Sequence, residues 1–234
     1  MIITPITPIA FFSIIPHPKT VSTASPKIFP TTGIKFDTAA FVVLAVIPST
    51  VLLRLPSTEA NPTNIVSTIP NIHTIDELKN LDIIWSSSYT RAKATAKYIA
   101  NVNNLPFNLD NDLSERKLGN LKELGEFMKD KSTRDPSQEQ LLDRTFRTSD
   151  GESAEQTRER MNEFFDRILK EYDGKRIAVV SHGGAIKFFL LNWCTVNENV
   201  ELVYNKNTIL NIKSPCLLKM TFRKNELINL EQID

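Results

Sequence analysis

Imidazoles and thiols are scarce here: 234 residues carry three histidines, His17, His73 and His182, and two cysteines, Cys194 and Cys216. Two thiols are too few for a disulfide framework or a cysteine metal cluster, so the expected setting is a reducing cytoplasm and no metal or other cofactor is expected. Long apolar runs are missing too. The longest, AAFVVLAVI at 39–47, stops at Pro48 and is about half of the roughly twenty residues a bilayer crossing takes. It reads as a strand, and no membrane association is expected. The first residues lack the basic start and unbroken apolar helix of a secretory signal, carrying Pro5, Pro8, Pro16 and Pro18 instead. Nor is there an excess of one charge: 28 basic and 27 acidic side chains leave a net +1, which provides no general field for nucleic acid. Basic and acidic residues interleave, as in RERMNEFFDRILKEYDGKR, and make a solvated helix face. P-loop, helix-borne zinc and GxSxG signatures are all absent, which removes the footing for P-loop nucleotide hydrolysis, metalloprotease and serine-esterase chemistry.

What is present divides unevenly. Hydrophobic residues at 41% and charged residues at 24% suit one α/β domain of good size or two small ones. Residues 1–72 hold ten of the thirteen prolines and only six charged side chains. They show little periodicity outside AAFVVLAVI and TVLLRL and are expected to be extended or irregular. A weakly ordered leader has such a composition, and so does a gene start read in the wrong frame. Residues 73–234 are the expected folded α/β domain.

From Thr74 onward strands and helices alternate. Thr74 and Glu77 in TIDELKNL form a capping-box pattern that predicts a short helix. LDIIWSS predicts a buried strand, and TRAKATAKYIANV a helix with Ala92, Ala96, Ile99 and Val102 near one face. After a polar middle region comes the clearest helix, ESAEQTRERMNEFFDRILKEYDG, with Met161, Phe164, Phe165, Ile168, Leu169 and Tyr172 at helical spacing and Gly174 at its end. RIAVVS is the kind of strand buried on both faces of a parallel sheet, and AIKFFLLNW is the helix after it. PCLLKMTFR and ELINLEQ predict an antiparallel pair. The order points to a mostly parallel sheet with helices on both faces, a three-layer α/β/α arrangement.

Ligands of such sheets bind beyond the carboxyl ends of the strands. At one strand end Ser86, Ser87 and Ser88 lead into a helix whose first turn holds Arg91; at another His182 is followed by Gly183, Gly184 and a helix start. Helix N-termini present free N–H groups to an anion, glycines let it approach, and an arginine adds a bidentate contact to phosphate. The loop DNDLSERKLGNL adds a carboxylate, Glu115, which beside a phosphate is placed for general-acid work.

These stretches carry a resemblance. WSSSYTRAKATAKYIA, LSERKLGN, DGES and VVSHGG, in that order over about residues 75–234, resemble the motifs of the histidine phosphatase superfamily, also called phosphoglycerate mutase-like. The resemblance implies that fold and phosphoryl transfer from a small phosphorylated substrate through a phosphohistidine, with no metal. It implies Arg91 and Gly183 as phosphate-binding residues, Glu115 as proton donor, and His182 as the residue that hydrogen-bonds the phosphate and stabilises its developing charge. The roughly thirty residues between Gly119 and Gly151 favour a phosphatase over a mutase, while Lys122 stands where a second glutamate often follows the loop glycine.

The family's nucleophile is a histidine in an Arg-His-Gly or Arg-His-Ser motif at the end of an N-terminal strand, and neither motif occurs in this sequence. VLLRLPSTEAN at 51–61 follows the pattern in outline, with Arg54 and Asn61, but Leu55 stands at the nucleophile and Pro56 at the glycine. His17 lies between Pro16 and Pro18, the second of which removes an N–H that phosphate would use; His73 borders the capping box. The expectation is therefore a domain lacking or replacing its usual N-terminal strand: a phosphatase whose nucleophile is not evident, or an inactive, N-terminally damaged member that keeps a phosphate pocket. Substrate identity and oligomeric state stay open.

Overall fold

The computed structural model describes residues 39–46, 76–129, 136–213 and 215–233. In chain order these form β1 (Ala39–Val46), β2 (Ile83–Ser87), α1 (Thr90–Asn103), β3 (Asn108–Asp110), α2 (Leu121–Met128), α3 (Pro136–Leu142), α4 (Ala154–Glu171), β4 (Arg176–Ser181), α5 (Gly183–Leu190), β5 (Cys194–Val196), β6 (Leu202–Tyr204), β7 (Thr208–Leu210), β8 (Cys216–Arg223) and β9 (Glu226–Ile233). The main sheet runs β3-β2-β4-β1-β8-β9. Its first four strands are parallel and the last two antiparallel.

β4 shows why the sheet needs a layer on each face. Successive side chains of a strand point to opposite faces, and Ile177, Ala178, Val179 and Val180 are all buried. Ala178 and Val180 join Ile84, Leu78 and Leu81 in a cluster with Ala92, Ala96, Ile99 and Ala100 of α1. Ile177 and Val179 join the larger cluster on the other face, where α4 brings Met161, Phe164, Phe165 and Ile168 and α5 brings Phe188 and Phe189. Rings interlock there: Phe165 stacks on Phe189 with centroids 4.2 Å apart, and Trp85 meets Phe164 edge-on at 5.4 Å. The predicted three-layer α/β/α fold is the observed one.

The α4 start is set locally. Ser153 Oγ accepts the Gln156 N–H at 3.1 Å while Gln156 Oε1 accepts the Ser153 N–H at 3.1 Å, a complete capping box. At the other end Gly174 adopts φ 71°, as the expected stop requires.

Several details differ from the sequence expectation. The helix expected from Thr74 is a single 3-10 turn, Asp76–Leu78, with Thr74 itself outside the described residues. Asn80 turns the backbone to φ 52° after the turn, and Arg176 Nη2 donates to the carbonyls of Asp76 at 3.3 Å and Glu77 at 3.0 Å, satisfying groups that a longer helix would have used itself. The polar middle region contains α2, opened by Asn120, whose side chain accepts from Lys122 N–H and Glu123 N–H, and α3. A separate sheet, β5-β6-β7, has no signature in the sequence, because its strands are three residues each, too short to show a period.

The N-terminal strand expected to be lacking or replaced has its place filled. Ala39–Val46 lies between β4 and β8, parallel to β4 from Phe41 opposite Arg176 to Val46 opposite Ser181. The stretch at 51–61, with Arg54 and Leu55, lies outside the described residues, as do His17 and His73.

Candidate active site

β2 and β4 run in register, Ser86 opposite Val180, so both strands end at one level of the sheet edge with Ser87 and His182 adjacent. Nε2 of His182 lies 2.8 Å from Ser87 Oγ, and both residues are buried. From the first turn of α1, Arg91 reaches back and donates its Nε–H to Nδ1 of His182 at 3.1 Å. A guanidinium has no acceptor and stays charged, so Nδ1 must offer a lone pair and Nε2 must carry the proton. Nε2 therefore donates to Ser87 Oγ, which also accepts the Tyr89 N–H at 3.3 Å. Burial first, then the positive charges of Arg91 and Arg160, hold the His182 pKa down from 6.5 to about 3. The imidazole is neutral at physiological pH.

This tautomer decides what the pair can do. In a serine hydrolase the base nitrogen facing the hydroxyl is unprotonated and its other nitrogen donates to a carboxylate. Here the polarity is reversed, with a cation feeding Nδ1, so Ser87 and His182 do not form a nucleophile–base pair. What they present is an N–H donor beside a guanidinium, which suits an anion.

α5 begins at the same place with His182 as its N-cap residue, so its first backbone N–H groups have no carbonyl partner within the helix. Glu115 closes part of that helix end. Its Oε1 accepts the Ala185 N–H at 3.1 Å and the N–H of its neighbour Arg116 at 3.0 Å. The approach requires a glycine below it, because a Cβ on Gly184 would stand 2.6 Å from Glu115 Oε1 and 3.0 Å from Arg116 Nε. Carboxylate at a helix N-terminus is electrostatically favourable.

The loop carrying Glu115 is held at three points. Ser181 Oγ donates to the Leu113 carbonyl at 2.8 Å. Arg116 donates to the Gln140 side chain and sits over the Phe188 ring, 5.7 Å from its centroid. Arg160 of α4 grips Glu152 with two bonds, Nε to Oε1 at 2.9 Å and Nη2 to Oε2 at 3.0 Å, and gives its third to the Asp112 carbonyl at 2.5 Å. Burial works to raise the Glu152 pKa, but the bonds from Arg160 and from the Lys117 N–H, with their charges, hold it below the usual glutamate value.

The four residues singled out in the sequence thus gather at one sheet edge: Arg91 on His182, Gly183 as the first residue of α5, and Glu115 on the same helix's first turn. Three contributors carry no signal of their own in the sequence: Ser87 is one of three consecutive serines, Tyr89 has no distinguishing neighbourhood, and Glu152 belongs to a short turn motif. Its partner Arg160 lies two helical turns further on, and no local pattern marks the pair. Among the described residues no group of three or more histidine, cysteine or acidic side chains could hold a metal, and no helix is long and apolar enough to cross a membrane.

The class of protein is thus a three-layer α/β fold in which an arginine, a neutral histidine and a helix N-terminus converge at the strand ends. The sequence model of the histidine phosphatase superfamily (branch 1) matches residues 74–212, and the chain belongs to that family. Among solved structures, mycobacterial glucosyl-3-phosphoglycerate phosphatase complexed with VO3 superposes with a TM-score of 0.55 at 15% identity, over 84% of this chain and 97% of that one. Phosphoglycerate mutase from Bacillus anthracis gives 0.54 at 16% identity, over 83% and 92%. YhfR of Bacillus stearothermophilus gives 0.51 at 16%, over 80% and 93%. At these identities the likeness is one of fold. No curated protein compared with the sequence matches it.

Proposed function

We propose that this chain binds a small phosphorylated substrate where β2 and β4 end and acts on it by phosphatase-type phosphoryl transfer. The observation that carries the reading is the 3.1 Å contact between Arg91 and His182 beside the α5 N-terminus. Arg91 would hold two phosphoryl oxygens with its remaining N–H groups, His182 would turn its Nε2–H from Ser87 to a third, and the N–H groups of Gly183 and Gly184 would meet charge developing on the same oxygens. Mycobacterial glucosyl-3-phosphoglycerate phosphatase, whose fold this chain shares, has been solved with inorganic phosphate.

In the transfer itself an imidazole nitrogen forms a P–N bond as the P–O bond to the leaving alcohol breaks, and Glu115 gives its proton to the departing oxygen. Water then gives a proton back to Glu115 and attacks phosphorus as the P–N bond breaks, releasing phosphate and restoring both the imidazole and the acid. His182 cannot be that nucleophile while Arg91 occupies Nδ1 and Nε2 carries its proton, which leaves His17 or His73.

A second reading, binding without turnover, is favoured by one observation. β1 ends at Val46 opposite Ser181, and the sequence continues Ile47, Pro48, Ser49, Thr50, with no imidazole where the family carries its nucleophile. On this reading the chain is an inactive or N-terminally damaged member. The domain boundary near residue 72 belongs to the same proposal. It is supported by the start of the family match at residue 74, although β1 is drawn from before it. A cytoplasmic setting is also proposed, on Cys194 and Cys216, free thiols whose pKa values burial pushes up to about 12.

Turnover of p-nitrophenyl phosphate and calorimetric binding of inorganic phosphate, measured on the full chain, separate the readings. Turnover abolished by His17→Ala or His73→Ala establishes the first. Phosphate binding weakened by Arg91→Ala, with no turnover in any variant, establishes the second. Neither binding nor turnover rejects both.

A further inference from the structure

Tyr89 is poorly explained by the helix it opens. It is the N-cap residue of α1, a position that favours serine, threonine, aspartate or asparagine because a short side-chain oxygen can accept a free N–H of the first turn. Tyr89 makes no such bond. It is also one of the large apolar or aromatic residues left open to solvent, 39% exposed. Its surroundings are specific, however. The ring lies 5.1 Å, centroid to centroid, from the ring of His182 at a tilt of 57°, and the guanidinium carbon of Arg91 is 5.2 Å from its centroid. Its backbone N–H is tied to Ser87 Oγ at 3.3 Å. The two groups that would receive a phosphate both pack on this ring, and much of the ring is still uncovered.

We infer that Tyr89 is a platform for the leaving group, and that the site prefers phosphate monoesters of flat, ring-bearing alcohols over those of small aliphatic ones. The inference rests on the phosphate pocket proposed above. Both groups proposed to hold the phosphate lie 5.1–5.2 Å from the Tyr89 ring centre, so an ester oxygen held by them would be close to that ring. An aryl or heteroaryl group on the ester oxygen is then at stacking distance of that ring. A methyl or other short alkyl group covers little of it. The Arg91 cation, already over the ring, draws on the same π-face and fixes the orientation of the aromatic wall.

The test is calorimetric titration of the full chain with inorganic phosphate, methyl phosphate and phenyl phosphate, repeated on Tyr89→Phe and Tyr89→Leu. The wild type should bind phenyl phosphate about three- to tenfold more tightly than methyl phosphate, the range of an aromatic pair. Tyr89→Phe should keep that ratio, and Tyr89→Leu should bring it close to one. A ratio near one in the wild type, or one unchanged in Tyr89→Leu, overturns the platform while leaving the phosphate pocket standing, provided inorganic phosphate binds. Failure of all three ligands to bind the wild type overturns the pocket, and the platform with it. Unfolding midpoints of the two variants, at an exposed position, show whether an altered ratio reflects misfolding.

Discussion

Nε2 of His182 and Oγ of Ser87 lie 2.8 Å apart, both residues closed off from solvent. Since Arg91 obliges Nε2 to carry the proton, Ser87 is the acceptor for a buried N–H. Ser87→Ala leaves that N–H unsatisfied and should destabilise the fold by about 1–3 kcal/mol, read as a lower urea midpoint. An unchanged midpoint would contradict the tautomer assigned to His182.

The same imidazole makes stability depend on acid. An unfolded chain takes up the His182 proton near 6.5, whereas the folded chain refuses it until about 3. The unfolded state therefore binds more protons between those values, and stability must fall as the pH drops through them. The contribution is complete above pH 6.5 and is lost progressively toward pH 3, with a slope of at most about 1.4 kcal/mol per pH unit. Urea midpoints measured between pH 7 and 5 should fall more steeply for the wild type than for His182→Gln, the variant giving the flatter curve. Parallel curves would show that His182 titrates normally.

Gly184 and Glu115 share one space. A side chain on Gly184 would meet Oε1 of Glu115 at 2.6 Å, so Gly184→Ala must push the carboxylate off the Ala185 N–H. Loss of a bond at a helix N-terminus costs about 1 kcal/mol, and the displaced group no longer faces the site. Glu115→Gln keeps an oxygen for the same N–H and should stay within about 0.5 kcal/mol of the wild type. If p-nitrophenyl phosphate is turned over, both variants should lose rate, by about 10²–10⁴-fold in Glu115→Gln. Thermal unfolding alongside single-substrate kinetics separates the two effects.

A second crossing supports the loop that bears Glu115. Gly119 holds φ 66°, and a Cβ on it would lie 2.2 Å from Thr148 Oγ1 and 2.3 Å from the Gly151 nitrogen. Thr148 Oγ1 meanwhile donates to the Leu118 carbonyl at 2.8 Å and accepts the Asn120 N–H at 3.1 Å. Gly119→Ala meets both a backbone atom and an unfavourable φ, and should destabilise by more than about 1 kcal/mol. Gly125, with nothing within 4 Å of its would-be Cβ, is the control: in the interior of α2, Gly125→Ala should be neutral or stabilising by up to about 1 kcal/mol. Urea unfolding of the pair gives the contrast.

The sequence alone was enough for the layers and for the strand ends at which Arg91, Glu115 and His182 come together. Runs such as RIAVVS and the spacing of Met161, Phe164, Phe165 and Ile168 specify strand and helix through local periodicity. Glycines after His182 and an arginine in the first turn of α1 place Gly183, Gly184 and Arg91 at the ends of neighbouring strands, which the local pattern alone could locate. Only the tertiary structure decided that Ala39–Val46 takes the central strand position, because an apolar run carries no record of which neighbour it will pair with. Tertiary packing also determined that His182 is a neutral donor: its tautomer depends on Arg91 and its pKa on burial, interactions between residues 91 positions apart that no local pattern encodes.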